Sequence, residues 1–197
     1  MSINSEEELI QYVKDDDFMM DVLKAAKELK LADWWVCAGF IRIKIWDTLH
    51  GFSQKTAPPD IDVIYFDKTN TDEAEEKKLE AKLRELKPGL PWSVKNQARM
   101  HTVNNIPPYL SSVDAISKFP ETVTALGLSL DANNQIRLAA PWGIEDALHM
   151  RVKPTPFFTE IQERAAIYEK RIKEKNWKAK WPRICVEHVP GEENTLF

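Results

Sequence analysis

Residues 58–67, PPDIDVIYFD, decide how this chain is read. The paired prolines close a loop, and the run from Asp60 to Phe66 alternates in the manner of a strand. Period-two geometry puts Asp60 and Asp62 on one face of that strand and Ile61, Val63 and Tyr65 on the other. Two carboxylates so close repel, and each raises the other's pKa unless a cation sits between them. A divalent ion is the natural cation: Mg²⁺ is held by one or two carboxylates while water and substrate phosphates complete its shell. Two such ions about 4 Å apart stabilise the attacking and leaving oxygens of an in-line phosphoryl displacement. D-x-D alone is a common spacing, equally at home at a solvated strand mouth.

Just upstream, Trp34 to Ala38 (WWVCA) reads as a short buried strand that Gly39 ends. Residues 40–49 (FIRIKIWDTL) satisfy both periods: Ile41, Ile43 and Ile45 alternate, whereas Phe40, Ile43 and Trp46 fit a helix. Were the segment helical, Gly39 would stand at a helix N-terminus, where free N–H groups and the dipole favour an anion such as a triphosphate tail. Arg42 and Lys44 follow at once.

Further out, Ser5 and Glu8 have capping-box spacing, so a first helix runs through Val13, and a second carries Phe18, Val22, Ala25, Ala26 and Leu29. A helix over 72–86 has acids early and bases late and stops at Pro88-Gly89. The pattern predicts a strand over 92–96, then a polar connection through Ile106-Pro107-Pro108. It continues with a helix over 113–118 capped by Ser112, a hairpin of 122–130 with 135–139 around DANN, and helices over 143–150 and 158–175. This order predicts an α+β fold, a small mixed sheet with helices mainly on one face. It forms a single domain over 1–182 that ends in a helix, with a tail over 183–197.

Cys37 and Cys185 read as reduced thiols, the N-terminus MSINSEEELIQ is acidic, and no apolar run reaches membrane-spanning length, so the expectation is a cytoplasmic protein without membrane contact. A net charge of −4 argues against a general nucleic-acid binder. The run Lys170 to Arg183, with Trp177 and Trp181 interleaved, has the look of a nucleic-acid contact, but packing of both tryptophans back on the domain is the favoured reading.

The order strand, Gly39-Phe40, helix, Asp60-Ile61-Asp62 resembles the nucleotidyltransferase superfamily typified by DNA polymerase beta. More narrowly, WVCAGFIRIKIWDTLHG, DIDVIYFD, WSVKNQARMH, FPET and APWGIEDAL are together similar to a bacterial family of predicted nucleotidyltransferases, formerly a domain of unknown function. The resemblance implies the polymerase beta-like fold, a helix over 40–49, and Mg²⁺ or Mn²⁺ on Asp60 and Asp62. It further implies nucleoside triphosphate as substrate, with its phosphates against Gly39 and Phe40. Phe40 replaces the usual serine, so a side-chain contact to phosphate falls to Arg42 or Lys44.

The superfamily's third carboxylate has no counterpart in WSVKNQ. Asn96 is a candidate neutral substitute, although it shares parity with Trp92 and Val94, while Ser93, Lys95 and Gln97 face the other way. Asp114 and Glu121 are candidates from elsewhere. Arg99 and His101 are candidate nucleotide contacts, each more ordinary as an ion-pair or surface residue. His50 beside Asp47 suits a helix C-terminus, and Trp142 reads as core. Two functions follow: Mg²⁺-dependent transfer of a nucleoside monophosphate to an unknown acceptor hydroxyl, or a nucleotide-binding module that has lost turnover.

Overall fold

The strand carrying the acid pair lies inside a five-stranded mixed sheet of order β3-β2-β1-β4-β5, in a computed structural model that describes residues 3–189. The strands are β1 Trp35–Cys37, β2 Ile61–Tyr65, β3 Trp92–Asn96, β4 Gly127–Leu130 and β5 Ile136–Ala139. β2 runs antiparallel to β1 and parallel to β3, which sets Asp62 between Cys37 on one side and Ser93 on the other. β1 also pairs antiparallel with β4, and β4 with β5. The β4–β5 turn is built on Asp131, whose Oδ1 accepts the N–H groups of Asn133 and Gln135, both at 2.8 Å.

The two sides of the sheet are covered unequally. Ile61, Val63 and Tyr65 enter the larger core with Leu9 of α1 (Glu6–Lys14), Val22 of α2 (Asp17–Lys27), Ile41 of α3 (Gly39–His50) and Leu83 of α4 (Glu73–Leu86). The face shared by Asp62 carries a small cluster of Trp35, Cys37, Ile64, Ala125 and Ala139, with Ile116 of α6 (Ser112–Ser117). Asp62 therefore stands on the thinly covered face, near the surface. Residues 40–49 are helical; Phe40 to Ile43 and Ile45 to Asp47 are all buried. A helix enclosed on nearly every side loses the amphipathic period that would have revealed it.

α4 covers the outermost strand with side chains rather than with more sheet. Its buried Glu80 accepts the Val94 N–H at 3.2 Å and its buried Glu76 accepts the Asn96 N–H at 3.0 Å.

Several boundaries differ from the sequence expectation. The connection expected after residue 96 opens with a helix, α5 (Gln97–Asn104). α6 is capped by Ser111, whose Oγ accepts the Asp114 N–H at 3.0 Å, while the Ser112 N–H donates to Asp33 Oδ2 at 2.6 Å. Residues 143–150 yield the single turn α7 (Glu145–Leu148), followed by β6 (Arg151–Val152). Residues 158–175 divide into α8 (Pro156–Thr159) and α9 (Gln162–Lys175), because Ile161 between them is extended.

Residues 183–189, expected to begin a tail, instead bring in β7 (Cys185–Val186), parallel to β6; residues 190–197 of that expected tail lie outside the described residues. Trp177 and Trp181 are buried edge-on against Trp46 of α3, with ring centroids 5.6 and 5.3 Å away. Among the described residues no helix is long and apolar enough to cross a membrane.

Candidate active site

The turn from β1 into α3 is shaped before any ligand arrives. Ala38, which precedes the helix, has φ 56° and ψ −115°, an unfavourable conformation for a residue with a Cβ, and no side chain caps the helix. Its N–H is tied to the Leu126 carbonyl at 3.1 Å, and its carbonyl accepts from Ile41 and Arg42, both at 3.2 Å. The N–H groups of Gly39 and Phe40 thus open the helix as first-turn donors without helical partners. A Cβ placed on Gly39 would lie 3.7 Å from Arg42 Nη2, an ordinary contact, so packing alone does not demand glycine there.

α3 separates the residues that sequence reasoning had grouped. Arg42 lies beside Gly39, whereas Lys44, two positions on and so about 200° around the helix, pairs with Asp16 at 2.8 Å. The Phe40 ring turns towards Phe18, with centroids 6.5 Å apart. Phe40 and Lys44 line a separate cavity of about 580 Å³ together with Phe18, Ile43, Phe52 and Pro58. Only the Phe40 backbone is left to face a phosphate.

Arg42 is a buried cation with an uncommitted donor. Its guanidinium lies 4.1 Å from the Trp177 ring centroid and 5.2 Å from that of Trp46, and its Nε has no hydrogen-bond partner. Burial lowers its pKa to about 10, with Arg171 adding to the fall and the charges of Glu121, Asp60 and Asp62 opposing it. It therefore stays charged at neutral pH. Burying such a charge without an ion pair is costly, so the side chain suits an anion held at Gly39.

Asp60 is exposed at the head of β2 and Asp62 is half-buried. The Asp62 carboxyl is pushed up to about 6, first by burial and then by the charge of Asp60; the Ser93 hydroxyl, Arg171 and Lys175 oppose the rise. Facing it across the sheet, the Cys37 thiol is raised far from reactivity by burial and by Asp62 itself.

Asn96 is not part of this group. It lies opposite Tyr65, on the parity of the larger core. Its Oδ1 accepts from the N–H groups of Ala98 (3.1 Å) and Asp67 (3.0 Å), while its Nδ2 donates to the carbonyls of Asp67 (2.7 Å) and Asn70 (2.9 Å). The amide is spent on capping α5 and fixing the turn after β2. Ser93 occupies the position opposite Asp62 on the same face, as strand parity alone indicates.

The remaining candidates are also accounted for. Asp114 accepts the Leu110 N–H and pairs with Lys118. Glu121 is fully buried, with Oε1 accepting from Arg171 Nε at 2.6 Å and Oε2 from the Thr124 hydroxyl at 2.7 Å. Arg99 makes two bonds to Glu76. His101 has a buried Nδ1 without a partner.

Asp47 accepts from Thr56 and Trp181, and the His50 ring meets the Trp46 carbonyl. Trp142, expected in the core, is 41% exposed and donates to the Ser117 carbonyl. Among the described residues no group of three or more His, Cys, Asp or Glu is placed to hold a metal ion. Ser93, Arg171 and Lys175 were not singled out from the sequence; the i, i+4 spacing of the last two inside the basic run was the available signal.

Comparison with known proteins shows the family and the fold. The family described as "Nucleotidyltransferase" matches residues 24–186. An NMR structure described as revealing a CCA-adding enzyme head domain is 37% identical, with a TM-score of 0.85 over 95% of this chain and 98% of that one. A CCA-adding enzyme in complex with CTP is similar in fold alone, at 14% identity and a TM-score of 0.56, and this chain covers 44% of its length. A comparison with curated proteins gives no significant match. The chain belongs to the nucleotidyltransferase family and has the polymerase beta-like fold of a CCA-adding enzyme head domain.

Proposed function

We propose that the protein transfers a nucleoside monophosphate from a nucleoside triphosphate to an acceptor hydroxyl. The bond between the acceptor oxygen and the α-phosphorus forms, the bond from that phosphorus to the β-phosphate bridge breaks, pyrophosphate leaves with the electron pair, and the acceptor proton passes to solvent. The observation that carries the reading is the half-buried Asp62 carboxyl at the head of β2 beside Asp60, pushed up to about 6 first by burial and then by the Asp60 charge, with no ion-pair partner among the described residues. Asp60 and Asp62 fit Mg²⁺ or Mn²⁺ as a carboxylate pair whose other ligands come from water and phosphate. When bound, the metal neutralises charge on the reacting phosphates.

The Gly39 and Phe40 N–H groups and the Arg42 guanidinium receive the phosphate tail. Catalysis of this kind is positioning and electrostatic stabilisation, with little covalent work for the protein. CTP, named with one similar structure, is the first nucleotide to try.

A second reading, a nucleotide-binding module without turnover, is favoured by Ser93 in the place where a third carboxylate would complete the site. One titration series separates the two. Wild type should bind NTP only with Mg²⁺, and Asp60→Asn with Asp62→Asn should weaken that binding at least about a hundredfold, equivalent to about 2.7 kcal/mol. Unchanged binding in the double variant removes the assignment of the acid pair. Binding without pyrophosphate release across a panel of RNA and small-molecule hydroxyl acceptors favours the second reading.

A further inference from the structure

α3 has two different sides. Arg42 and Trp46 lie on one, whereas Phe40, Ile43, Lys44, Asp47 and Thr48 recur three and four positions apart along the other. That second stripe forms one wall of the cavity of about 580 Å³. The start of α2, the loop 52–58 and the turn 89–91 supply the rest. The volume lies in the range of small-molecule sites and far exceeds the voids that a close-packed interior leaves by accident.

Hydrogen bonds among the lining residues hold the walls in place. Asp47 accepts the Thr56 N–H at 2.6 Å and the Thr56 hydroxyl at 2.9 Å, and its backbone carbonyl accepts the Phe52 N–H at 3.0 Å, so the loop is fixed near both ends. On the far side the Pro91 carbonyl accepts the Ile61 N–H at 2.8 Å. Most of the lining is apolar, and Phe18 and Phe52 remain 37% and 39% exposed. Apolar rings left in water around a concave surface are unfavourable, and a ligand that covers them removes that cost.

The polar end of the cavity is a pair of lysines on one acid. The Asp16 side chain is 2% exposed; its Oδ2 accepts from Lys44 at 2.8 Å and from Lys55 at 2.9 Å, while Oδ1 caps α2 through the Met19 N–H at 3.3 Å. The other acid of the wall, Asp47, has both oxygens engaged by Thr56 and by the Trp181 indole N–H at 2.9 Å. Formal charge is thus balanced, two lysines against two acids, but hydrogen-bonding capacity is not. The acid oxygens are engaged, whereas each ammonium carries three N–H donors and makes one hydrogen bond, to Asp16, among the described residues. The spare groups at this end are N–H donors with positive charge, which hold a carboxylate strongly.

We propose that this cavity binds a small molecule with a flat apolar body and a carboxylate head. The body lies among Phe18, Phe40 and Phe52, whose rings favour a flat partner, and the head lies on Lys55 and Lys44. The site is separate from the anion cradle at Gly39: the Phe40 ring belongs to the cavity, its N–H to the cradle, and α3 is the partition. Binding here needs neither the acid pair of β2 nor a metal, so it stands independently of the nucleotide reading.

The experiment is a calorimetric titration of the full chain, without metal or nucleotide, with three probes of one shape: 2-naphthoate, 2-naphthamide and 2-naphthylmethylammonium. Wild type should bind 2-naphthoate about tenfold or more tighter than the amide, and the ammonium weakest. Lys55→Gln, at a side chain 67% exposed, should weaken 2-naphthoate about tenfold and leave the amide within about twofold, whereas a folding defect would weaken both alike. Ala57→Trp, which adds an indole to an exposed part of the wall, should weaken all three probes at least about tenfold and leave Mg²⁺·NTP binding within about twofold. Lys24→Gln, on α2 but outside the lining, should leave every probe unmoved.

Absence of 2-naphthoate binding at millimolar concentration, equal binding of the three probes, or a preference that survives Lys55→Gln overturns the proposal. Displacement of 2-naphthoate by Mg²⁺·NTP also overturns it, because the cavity would then be part of the nucleotide site. If wild type shows the stated preference and binds no Mg²⁺·NTP, the nucleotide reading falls and the cavity stands.

Discussion

The molecule holds two pairs of carboxylates against the same sheet, and they are treated in opposite ways. Burial pushes Glu76 up, but Arg99, the Asn96 N–H and Lys95 outweigh it, and its pKa lies below the ordinary value. Glu80 is likewise pushed up by burial and pulled below its usual value by the Val94 N–H and by Lys77 and Lys95. Asp62 is also pushed up by burial, yet a second carboxylate is its next influence and the net shift is upward, to about 6. Burial is common to Glu76, Glu80 and Asp62; a cation in direct ion-pair contact belongs to the two glutamates alone of these three. The α4 pair is complete within the fold, whereas the β2 pair is left for a cation from outside, which is how a structural network and a site can be told apart.

The largest effect that would break this contrast is on the α4 side. Glu76→Ala strands Arg99, Lys95 and the Asn96 N–H, and should lower stability by about 3–5 kcal/mol in urea denaturation. A loss under about 1 kcal/mol would show that the network is not structural. Because the pKa values of Glu76 and Glu80 are depressed, their contribution is present above the unfolded glutamate value of about 4.3 and is lost as pH falls below it.

Asp62 on β2 should behave with the reverse sign. A carboxyl raised to about 6 favours folding fully below the unfolded aspartate value of about 3.9, and that contribution is lost as pH rises through about 6. Asp62→Asn should therefore stabilise the metal-free protein at pH 7 by about 1–2 kcal/mol, with the gain vanishing near pH 4. Destabilisation at pH 7 without metal would contradict a charge-starved site. The smallest expected effect is at Gly39: Gly39→Ala should move the melting temperature by no more than about 2 °C while weakening Mg²⁺·NTP about tenfold, because the added Cβ meets only ordinary contacts in the protein but intrudes where phosphate would approach. Equal losses of both would make the glycine a packing residue.

Much of this was legible in the sequence, and the limits have physical causes. The alternation of Asp60 to Tyr65 gave the correct faces because one face is thickly buried and the other thinly, the condition under which period-two patterns speak. Residues 40–49 were ambiguous because α3 is enclosed nearly all round. α5 is hidden in the sequence because its N-cap, Asn96, is also the last residue of β3; asparagine at a strand end is a helix signal as well. Parity already pointed to Ser93 rather than Asn96 beside Asp62. The pairing of Glu121 with Arg171 joins residues fifty positions apart, and local spacing carries no trace of such a contact.

The way α4 meets β3 also bears on how copies of the protein behave towards one another. The outward N–H groups of Val94 and Asn96 are the donors with which an exposed sheet edge would recruit a strand from a neighbouring molecule. Here Glu80 and Glu76 already occupy them, and a helix lies over the row. The sheet is thus closed on this side to intermolecular growth by two carboxylates rather than by a further strand. Acid that protonates those carboxylates removes more than stability: it unmasks an edge, and colloidal behaviour is then tied to the same two side chains that set the acid limit of the fold.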